Sequence, residues 1–269
     1  MDYRKELTNS KRIVVKIGTT MVTYPNGKIN IRRMENLARV LADIVNGGVD
    51  VILVSSGAVG VGAGILGFNE KPTEIRIKQA AASAGQASMM QIYKNFFGEY
   101  HHNVAQILLT REDIKSKDRR SNLENTFNTV LELGMVPIVN NNDAITVDEI
   151  EFSDNDYLSA IVANLVDADL LVILTDIDGL HDKNPRKNND AKRISIVESV
   201  DQSIHDMAGD RGSAFSTGGM HSKLIAAEIC VKLGTSMVIA HGEDPRILYD
   251  VLEGKDVGTL FPGGKKDEY

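Results

Sequence analysis

The chain has 269 residues, of which 42% are hydrophobic and 25% are charged, a balance typical of a globular protein that can bury a full core. Acidic residues outnumber basic ones by 37 to 30, which argues against nucleic acid as a partner because phosphate contacts need clustered Lys and Arg. No signal-peptide pattern and no apolar run of about 18 residues occurs, which favours a cytoplasmic protein without a membrane partner. The one cysteine, Cys230, rules out a disulfide within the chain and is expected to pack as a small hydrophobic residue.

Apolar runs of strand length alternate with helical patterns along the chain. The runs lie at 12–18, 49–56, 103–110, 135–140, 168–175 and 235–242, and the helical patterns lie at 30–48, 73–100, 121–134, 155–168, 218–234 and 245–254. Most runs are continuous and β-branched, which predicts strands buried on both faces of a sheet. The alternation predicts an α/β fold with a mostly parallel sheet, whose ligands bind at the carboxyl ends of the strands.

The first run contains Lys16 close to its end. A lysine in an apolar strand is costly unless its charge has a partner, so Lys16 could reach a phosphate bound at the strand end. The alternative is a lysine whose ammonium group extends into solvent. This strand alone does not decide between the two interpretations.

Five glycines follow the second run, at 57, 60, 62, 64 and 67. Gly62 to Gly67 match the G-x-G-x-x-G spacing of a dinucleotide-binding loop, but the strand ends near Ser55, too early for that loop. No acidic residue stands about 20 residues further on, as the fingerprint requires, and the G-x-x-x-x-G-K-[ST] phosphate loop occurs nowhere. The small residues at 55–58 suit either an anion at exposed N–H groups or a tight turn.

The helix at 121–134 is predicted to begin at Ser121. Glu124, three residues later, would complete a capping box, and Gly134 would end the helix. The segment 210–219 is rich in small residues and predicts a loop.

Three polar groups stand at predicted strand or helix ends. Asn140 to Asp143 follow the fourth run and suit either a turn or recognition of a small polar ligand. Asp154, Asn155 and Asp156 open a helix, where they are common caps, although three together could hold an amine or organise lysines. Lys223 stands in the first turns of a helix after two glycines, as part of an anion site or as a solvent-facing lysine. The histidines show no metal-ligand spacing.

Nine motifs, taken in order, resemble the amino acid kinase family. They are VVKIGTT, VSSGAV, IKQAAASAGQ, QILLTRED, VPIVNNNDA, SDNDYLSA, LTDIDGL, STGGMHSK and GTLF, between residues 11 and 261. QAAASAGQ with DNDYLSA is similar to the branch of the family that phosphorylates glutamate. The resemblance implies an open α/β/α sandwich with a mostly parallel central sheet. It also implies one domain over 1–269, with an N-terminal part that binds glutamate and a C-terminal part that binds ATP. Many bacterial relatives carry a C-terminal PUA domain as well, and none is expected here.

The implied reaction transfers a phosphoryl group from ATP, with Mg²⁺, to the side-chain carboxylate of L-glutamate, as the first step of proline biosynthesis. A carboxylate is already a nucleophile at neutral pH, so catalysis would consist of positioning and charge neutralisation. The resemblance implies the catalytic residues Lys16, Lys223, Asp156 and Gly57 and the glutamate-binding residues Ser56, Asp143 and Asn155. It implies nucleotide binding by Lys16, Thr175, Asp176, Thr217, Gly218, Gly219, Met220, His221, Ser222 and Lys223. Gly60 to Gly67 would be structural.

The chain departs from the family pattern at Asn141, Ser153, His181 and Ser216, where Glu, Gly, an aromatic residue and Gly are usual. These changes concern loop flexibility and nucleotide preference and remove no catalytic group. The resemblance further implies a homo-oligomer (a dimer or tetramer), feedback inhibition by proline, and glutamyl phosphate reductase as a partner. Two alternatives remain: a kinase of the same fold that acts on N-acetylglutamate, aspartate, carbamate or UMP, and a non-catalytic amino-acid sensor. The paired lysines argue against the sensor.

Overall fold

The structure is a computed structural model that describes residues 2–24, 26–68, 70, 72–145, 155–185, 187–207 and 219–264. Its strands are β1 (Arg12–Ile17), β2 (Asp50–Ser55), β3 (Val104–Leu109), β4 (Val136–Asn141), β5 (Leu170–Thr175), β6 (Ser236–His241) and β7 (Thr259–Phe261). Its helices are α1 (Tyr3–Glu6), α2 (Thr19–Val22), α3 (Ile31–Asn46), α4 (Ala58–Ile65), α5 (Ile75–Gly98), α6 (Arg111–Lys115), α7 (Lys117–Glu132), α8 (Asn155–Leu165), α9 (Gln202–Met207), α10 (Met220–Lys232) and α11 (Ile247–Leu252). None of these helices combines the length and the apolar character that a bilayer span requires.

The six predicted strands are confirmed, and five of them are buried at nearly every position. The exception is β3, which is partly exposed because it lies at one end of the strand order. The sequence did not predict β7, since its three residues are too few to form a recognisable apolar run. This strand pairs antiparallel with β6.

The chain divides into two compact units. The central unit is Ile17–Asn155, and the terminal unit combines Met1–Lys16 with Asp156–Tyr269. In the central unit the strand order is β3-β4-β2, and both pairs are parallel. In the terminal unit the order is β1-β5-β6-β7, and β5 pairs parallel with β6. The chain therefore has the mostly parallel sheet that the alternation of strands and helices predicts.

The glycine-rich stretch after β2 forms α4, which packs closely against α5 in the central unit. A β-carbon on Gly62 would lie 1.8 Å from the carbonyl oxygen of Ala81, and one on Gly85 would lie 1.9 Å from that of Ala58. The two helix backbones can touch only because neither position carries a side chain. Gly62 is therefore a packing residue, and the exclusion of a dinucleotide loop agrees with this contact.

Gly85→Ala should lower the free energy of unfolding by about 3 kcal/mol, at the upper end of ordinary overpacking costs. The atoms that its methyl group meets belong to backbone, which cannot rotate away. Urea denaturation checks the loss. Gly98→Ala is the matched control in the same helix: a β-carbon there meets nothing within 4 Å, and stability should change by less than about 1 kcal/mol. Equal losses in the two variants would contradict the close helix contact.

The predicted start of the helix at 121–134 is wrong. The helix, α7, begins at Lys117, and the capping box belongs to α6, where Thr110 and Asp113 cap each other. Glu124 instead pairs with Arg120 one turn earlier, with 3.0 Å between Nε and Oε1. The predicted end is confirmed, because Gly134 follows the helix with a φ of 69°, a left-handed conformation that glycine adopts readily.

Cys230 lies on the buried side of α10 and is 1% exposed. It packs as a small hydrophobic residue, as predicted. Burial raises the pKa of its thiol to about 12, so the thiol stays protonated at neutral pH and is a poor nucleophile.

Candidate active site

Three charged side chains that are distant in sequence meet in the terminal unit. Asp156 is the second residue of α8, Lys16 is the second-last residue of β1, and Lys223 lies in the first turn of α10. The Lys16 ammonium lies 2.5 Å from Oδ1 of Asp156, and the Lys223 ammonium lies 3.0 Å from Oδ2. We call these three residues the lysine–carboxylate cluster.

All three members of the cluster are buried. The side chain of Asp156 is 0% exposed, and those of Lys16 and Lys223 are 8% and 4% exposed. The alternatives of a lysine that extends into solvent and of a solvent-facing helix lysine are therefore wrong. Both ammonium groups are directed at one carboxylate, which leaves the cluster with one net positive charge.

The carboxylate of Asp156 stays ionised. Burial by itself would raise its pKa, but the charges of Lys16 and Lys223 and their hydrogen bonds outweigh burial and hold the pKa below its usual value. Buried ion clusters are expensive to desolvate and contribute little to stability. Such clusters are more typical of functional sites, where surplus charge faces a ligand.

Ser222 also binds the carboxylate of Asp156. Its hydroxyl donates to Oδ2 of Asp156 at 2.8 Å and lies 2.9 Å from the carbonyl oxygen of Gly219, the N-cap of α10. The start of α10 thus supplies two side chains to one carboxylate, through Ser222 and Lys223. Thr217 and Gly218, two further predicted nucleotide-binding residues, lie outside the described residues.

The other predicted nucleotide-binding residues lie at two places in the terminal unit. Thr175 is the last residue of β5, and its hydroxyl donates to the carboxylate of the exposed Asp176 at 3.2 Å. Met220 and His221 open α10, and the His221 ring packs edge-on against His205 with 5.6 Å between centroids. Thr175 and Asp176 therefore stand at a carboxyl strand end, where ligands of parallel sheets bind.

In the central unit, a second cluster of polar side chains gathers around Asn155. Its Nδ2 donates to the hydroxyl of Ser56 at 2.8 Å and to Oδ1 of Asn140 at 2.9 Å. Asn140 in turn donates from Nδ2 to Oε1 of Gln86 at 2.9 Å. We call Gln86, Asn140, Asn155 and Ser56 the amide cluster. Oδ1 of Asn155 is buried and has no hydrogen-bond partner among the described residues.

Gly57 and Asp143 lie beside this cluster in sequence. Gly57 is the N-cap of α4 with a φ of 113°, and a β-carbon there would also lie 3.2 Å from the side chain of Val22. The positive φ favours glycine at this position, and the close contact with Val22 adds to that preference. The carboxylate of Asp143 accepts a hydrogen bond from Nδ2 of Asn141 at 2.8 Å. The resemblance leads us to expect Glu at position 141, and the Asn141 found there supplies a donor to Asp143 instead of a second negative charge.

Two of the four departures from the expected family pattern, Asn141 and His181, lie among the described residues. The ring of His181 lies 3.3 Å from the carbonyl oxygen of Gly179 and 3.4 Å from the carboxylate of Asp178. Ser153 and Ser216 lie outside the described residues.

Gln86 joins the amide cluster although the motif that contains it, IKQAAASAGQ, did not predict a role for it. The signal that could have found it is a polar residue within an apolar helical stripe. Ala81, Ala82, Gly85 and Met89 are buried on the same side of α5 as Gln86. A glutamine in that stripe needs buried partners, because an unpaired buried amide is costly.

The chain is similar to known kinases over nearly its whole length. Residues 11–241 match the model of the amino acid kinase family. A glutamate 5-kinase of Clostridium perfringens is 52% identical over 97% of this chain and 99% of its own length. A glutamate 5-kinase of Listeria innocua is 48% identical over 99% of this chain and 98% of its own length.

Solved structures show the same fold. A UMP kinase of Bacillus anthracis aligns with a TM-score of 0.65 at 16% identity, covering 94% of this chain and 96% of its own. A carbamate kinase of Giardia lamblia aligns with a TM-score of 0.66 at 14% identity, covering 96% and 100%. The predicted α/β fold class is confirmed. The chain belongs to the amino acid kinase family and, within it, to the glutamate 5-kinases.

Proposed function

We infer that the chain transfers the γ-phosphoryl group of ATP to the side-chain carboxylate of L-glutamate. A carboxylate oxygen attacks the γ-phosphorus, the bond to the bridging oxygen breaks, and L-glutamyl 5-phosphate and ADP result. The observation that carries this proposal is the buried pair of lysines on the carboxylate of Asp156. The names of the curated relatives supply the substrate and, with it, the first step of proline biosynthesis.

The lysine–carboxylate cluster fits the charge problem of this reaction. Two anions, a carboxylate and a triphosphate, must approach each other, and no proton has to be removed from the nucleophile. Catalysis then consists of positioning and of neutralising charge on the transferring group. Lys16 and Lys223 supply the positive charge, and Asp156 holds both ammonium groups in place. The N–H of Gly57 is proposed as a further donor to the phosphoryl group.

The nucleotide is assigned to the terminal unit. The first turn of α10, with Gly219 to Lys223, suits phosphate oxygens because backbone N–H groups at a helix start have no partner within the helix. Thr175 and Asp176 are proposed to line the nucleotide site at the end of β5, and Thr217 and Gly218 to close it. The lysines fit phosphate oxygens rather than a bare metal ion, so Mg²⁺ would be held mainly by the nucleotide phosphates. Mg²⁺ would neutralise part of the negative charge of the phosphates.

Glutamate is assigned to the central unit. Oδ1 of Asn155 is a buried acceptor without a partner among the described residues, and the α-ammonium group of an amino acid is a suitable donor. The carboxylate of Asp143 adds a negative charge suited to the same ammonium group, and Ser56 offers a hydroxyl. This assignment divides one kinase domain into a glutamate-binding and an ATP-binding part.

The resemblance also supports proposals about partners. They are a cytoplasmic homo-oligomer, inhibition by proline, and consumption of the product by glutamyl phosphate reductase. The product is an acyl phosphate, which hydrolyses readily, and this favours rapid use by a partner enzyme. Size-exclusion chromatography with light scattering measures the oligomer.

The test is an assay of ATP- and Mg²⁺-dependent hydroxamate formation, in which hydroxylamine traps the acyl phosphate. L-Glutamate should give hydroxamate, whereas N-acetyl-L-glutamate and L-aspartate should give only a trace of that rate. Hydroxamate formed from another acid, with none from glutamate, would show that the chain is a kinase of the same fold with a different substrate. Glutamate binding without ADP formation would indicate a sensor. The same assay with added proline tests feedback inhibition.

A further inference from the structure

The amide cluster of the central unit contains two residues to which the proposed function gives no role, Gln86 and Asn140. Both are buried, at 8% and 2% exposure. We propose that Gln86 and Asn140 are positioning residues that fix the amide of Asn155 with its oxygen toward the substrate, so that the site selects acids bearing an amino group. This inference rests on the proposed function, because it names what part of glutamate that oxygen recognises.

The orientation of the cluster begins at a backbone group. The oxygen and nitrogen of an amide side chain are distinguished only through their hydrogen-bond partners. A backbone N–H, in contrast, can only donate. The N–H of Asn141 donates to Asn140 at 2.9 Å, so the atom of Asn140 at that place must be its oxygen, Oδ1.

The orientation of the Asn140 amide then determines that of the Asn155 amide. Because Oδ1 of Asn140 is an acceptor, the atom of Asn155 that lies 2.9 Å from it must be a donor, Nδ2. The same Nδ2 lies 2.8 Å from the hydroxyl oxygen of Ser56. With both N–H groups of Asn155 turned to the protein, its Oδ1 is left as a buried acceptor with no partner in the part of the chain that the structure describes.

Gln86 holds the other side of Asn140. Its Oε1 accepts from Nδ2 of Asn140 at 2.9 Å, which ties that amide to the buried face of α5. Rotation of Asn140 would break this bond and the bond from the N–H of Asn141 together. Gln86 therefore anchors the Asn140 side chain, whose orientation is set by the N–H of Asn141, and Asn140 resists a flip of Asn155.

The direction of the Asn155 amide decides which ligand group it attracts. In the observed orientation, Oδ1 carries partial negative charge and attracts an ammonium group. A flipped amide would present N–H groups, which repel an ammonium group and attract a carboxylate. Glutarate has the carbon chain and both carboxylates of glutamate but no amino group. The ratio of the glutarate and glutamate dissociation constants thus reports the orientation of Asn155.

The experiment measures both dissociation constants by calorimetric titration of the full-length chain, together with hydroxamate formation from glutamate. Asn140→Leu should lower the glutarate-to-glutamate ratio about tenfold, the effect of losing one oriented charged hydrogen bond. Asn140→Asp keeps an acceptor for both donors, and Gln86 can turn its amide to donate, so the ratio should not fall more than about threefold below that of wild type. The added negative charge repels the carboxylates that both ligands share and attracts the ammonium group that only glutamate carries, so its effect on the ratio is an increase.

A second pair of variants keeps the test informative if Asn140→Leu does not fold. Gln86→Leu should lower the ratio, and Gln86→Glu, which still accepts from Asn140, should keep it. Gln91→Leu is the matched control, because Gln91 is exposed on the same helix and bonds only to the amide of Asn95 among the contacts described.

The outcomes separate the inference from the proposed function. Equal weakening of glutamate and glutarate in Asn140→Leu and Gln86→Leu, with an unchanged ratio, would overturn the inference and leave the two residues with a structural role. A wild-type chain that forms no hydroxamate from glutamate would overturn the proposed function instead. Loss of selectivity in both leucine variants, with retention in Asn140→Asp and Gln86→Glu, would support the inference.

Discussion

Lys223→Met should lower kcat by about 10²–10³-fold, the effect of removing one preorganised charge from the transition state. Methionine keeps most of the volume of the side chain but none of its charge. The loss should fall on kcat more than on the KM for glutamate, because the lysine opposes charge that develops during transfer. Stability should change by less than about 1.5 kcal/mol, since Asp156 keeps Lys16 as a partner. Initial rates of hydroxamate formation and urea denaturation measure the two quantities.

Lys255→Met is the matched control for this variant. Lys255 is an exposed lysine of the terminal unit, paired at 2.7 Å with Asp250 and Glu253. Exposed pairs contribute little, so both kcat and stability should stay near wild type. A Lys223→Met enzyme with a kcat close to that of wild type would contradict the assignment of the lysine to phosphoryl transfer.

Asp156→Asn should destabilise the chain by about 3–5 kcal/mol, the cost of leaving buried charge without its partner. The substitution keeps the shape of the side chain but leaves two buried ammonium groups, those of Lys16 and Lys223, without the carboxylate that both contact. Turnover should fall as well, because the two lysines repel each other out of position. Urea denaturation at neutral pH gives the stability, and the hydroxamate assay gives the rate.

The double variant Asp156→Asn/Lys223→Met tests whether repulsion between the two lysines causes the loss of stability. If repulsion between the lysines is responsible, removing one of them should restore part of the lost stability, a non-additive result that a double-mutant cycle detects. Purely additive losses would show that the effect of Asp156 on stability does not depend on Lys223, and would contradict repulsion between the lysines.

The stability of the wild type should depend on pH in a way that reports the charge of Asp156. The folded pKa of Asp156 lies below its usual value, so its contribution to stability is fully present above the unfolded pKa of about 3.9. That contribution is lost as pH falls through the lower, folded pKa. The stability difference between wild type and Asp156→Asn, measured by urea denaturation across pH, should therefore be constant near neutrality and shrink only in acid.

Most of the fold follows from local pattern. Six strands are visible as apolar, β-branched runs because strands buried on both faces have no polar positions to interrupt them. The sequence gives no sign of β7, since three residues hold no periodicity and the place of this strand is decided by pairing with β6. The motif at Ser121 and Glu124 predicts a helix start there, but α7 begins at Lys117, and the capping box forms at Thr110 and Asp113, at the start of α6.

The candidate site was only partly visible in the sequence. Lys16 stands out as a charge in an apolar strand, whereas Lys223 and Asp156 stand where ordinary helix residues stand, and only the family resemblance joined the three. Gln86 carried no assigned role, because a glutamine in a helix looks ordinary until its buried partner is known.

The sequence by itself determined the order of the elements, the α/β class and the family, because apolar periodicity and short motifs act over a few neighbouring residues. Only the tertiary structure decided that Lys16 and Lys223 share one carboxylate and that Oδ1 of Asn155 is left without a partner among the described residues. The physical reason is that a buried charge or amide takes its pairing and direction from partners far away in the chain. Those partners meet only when strand ends and helix starts have been brought together by packing.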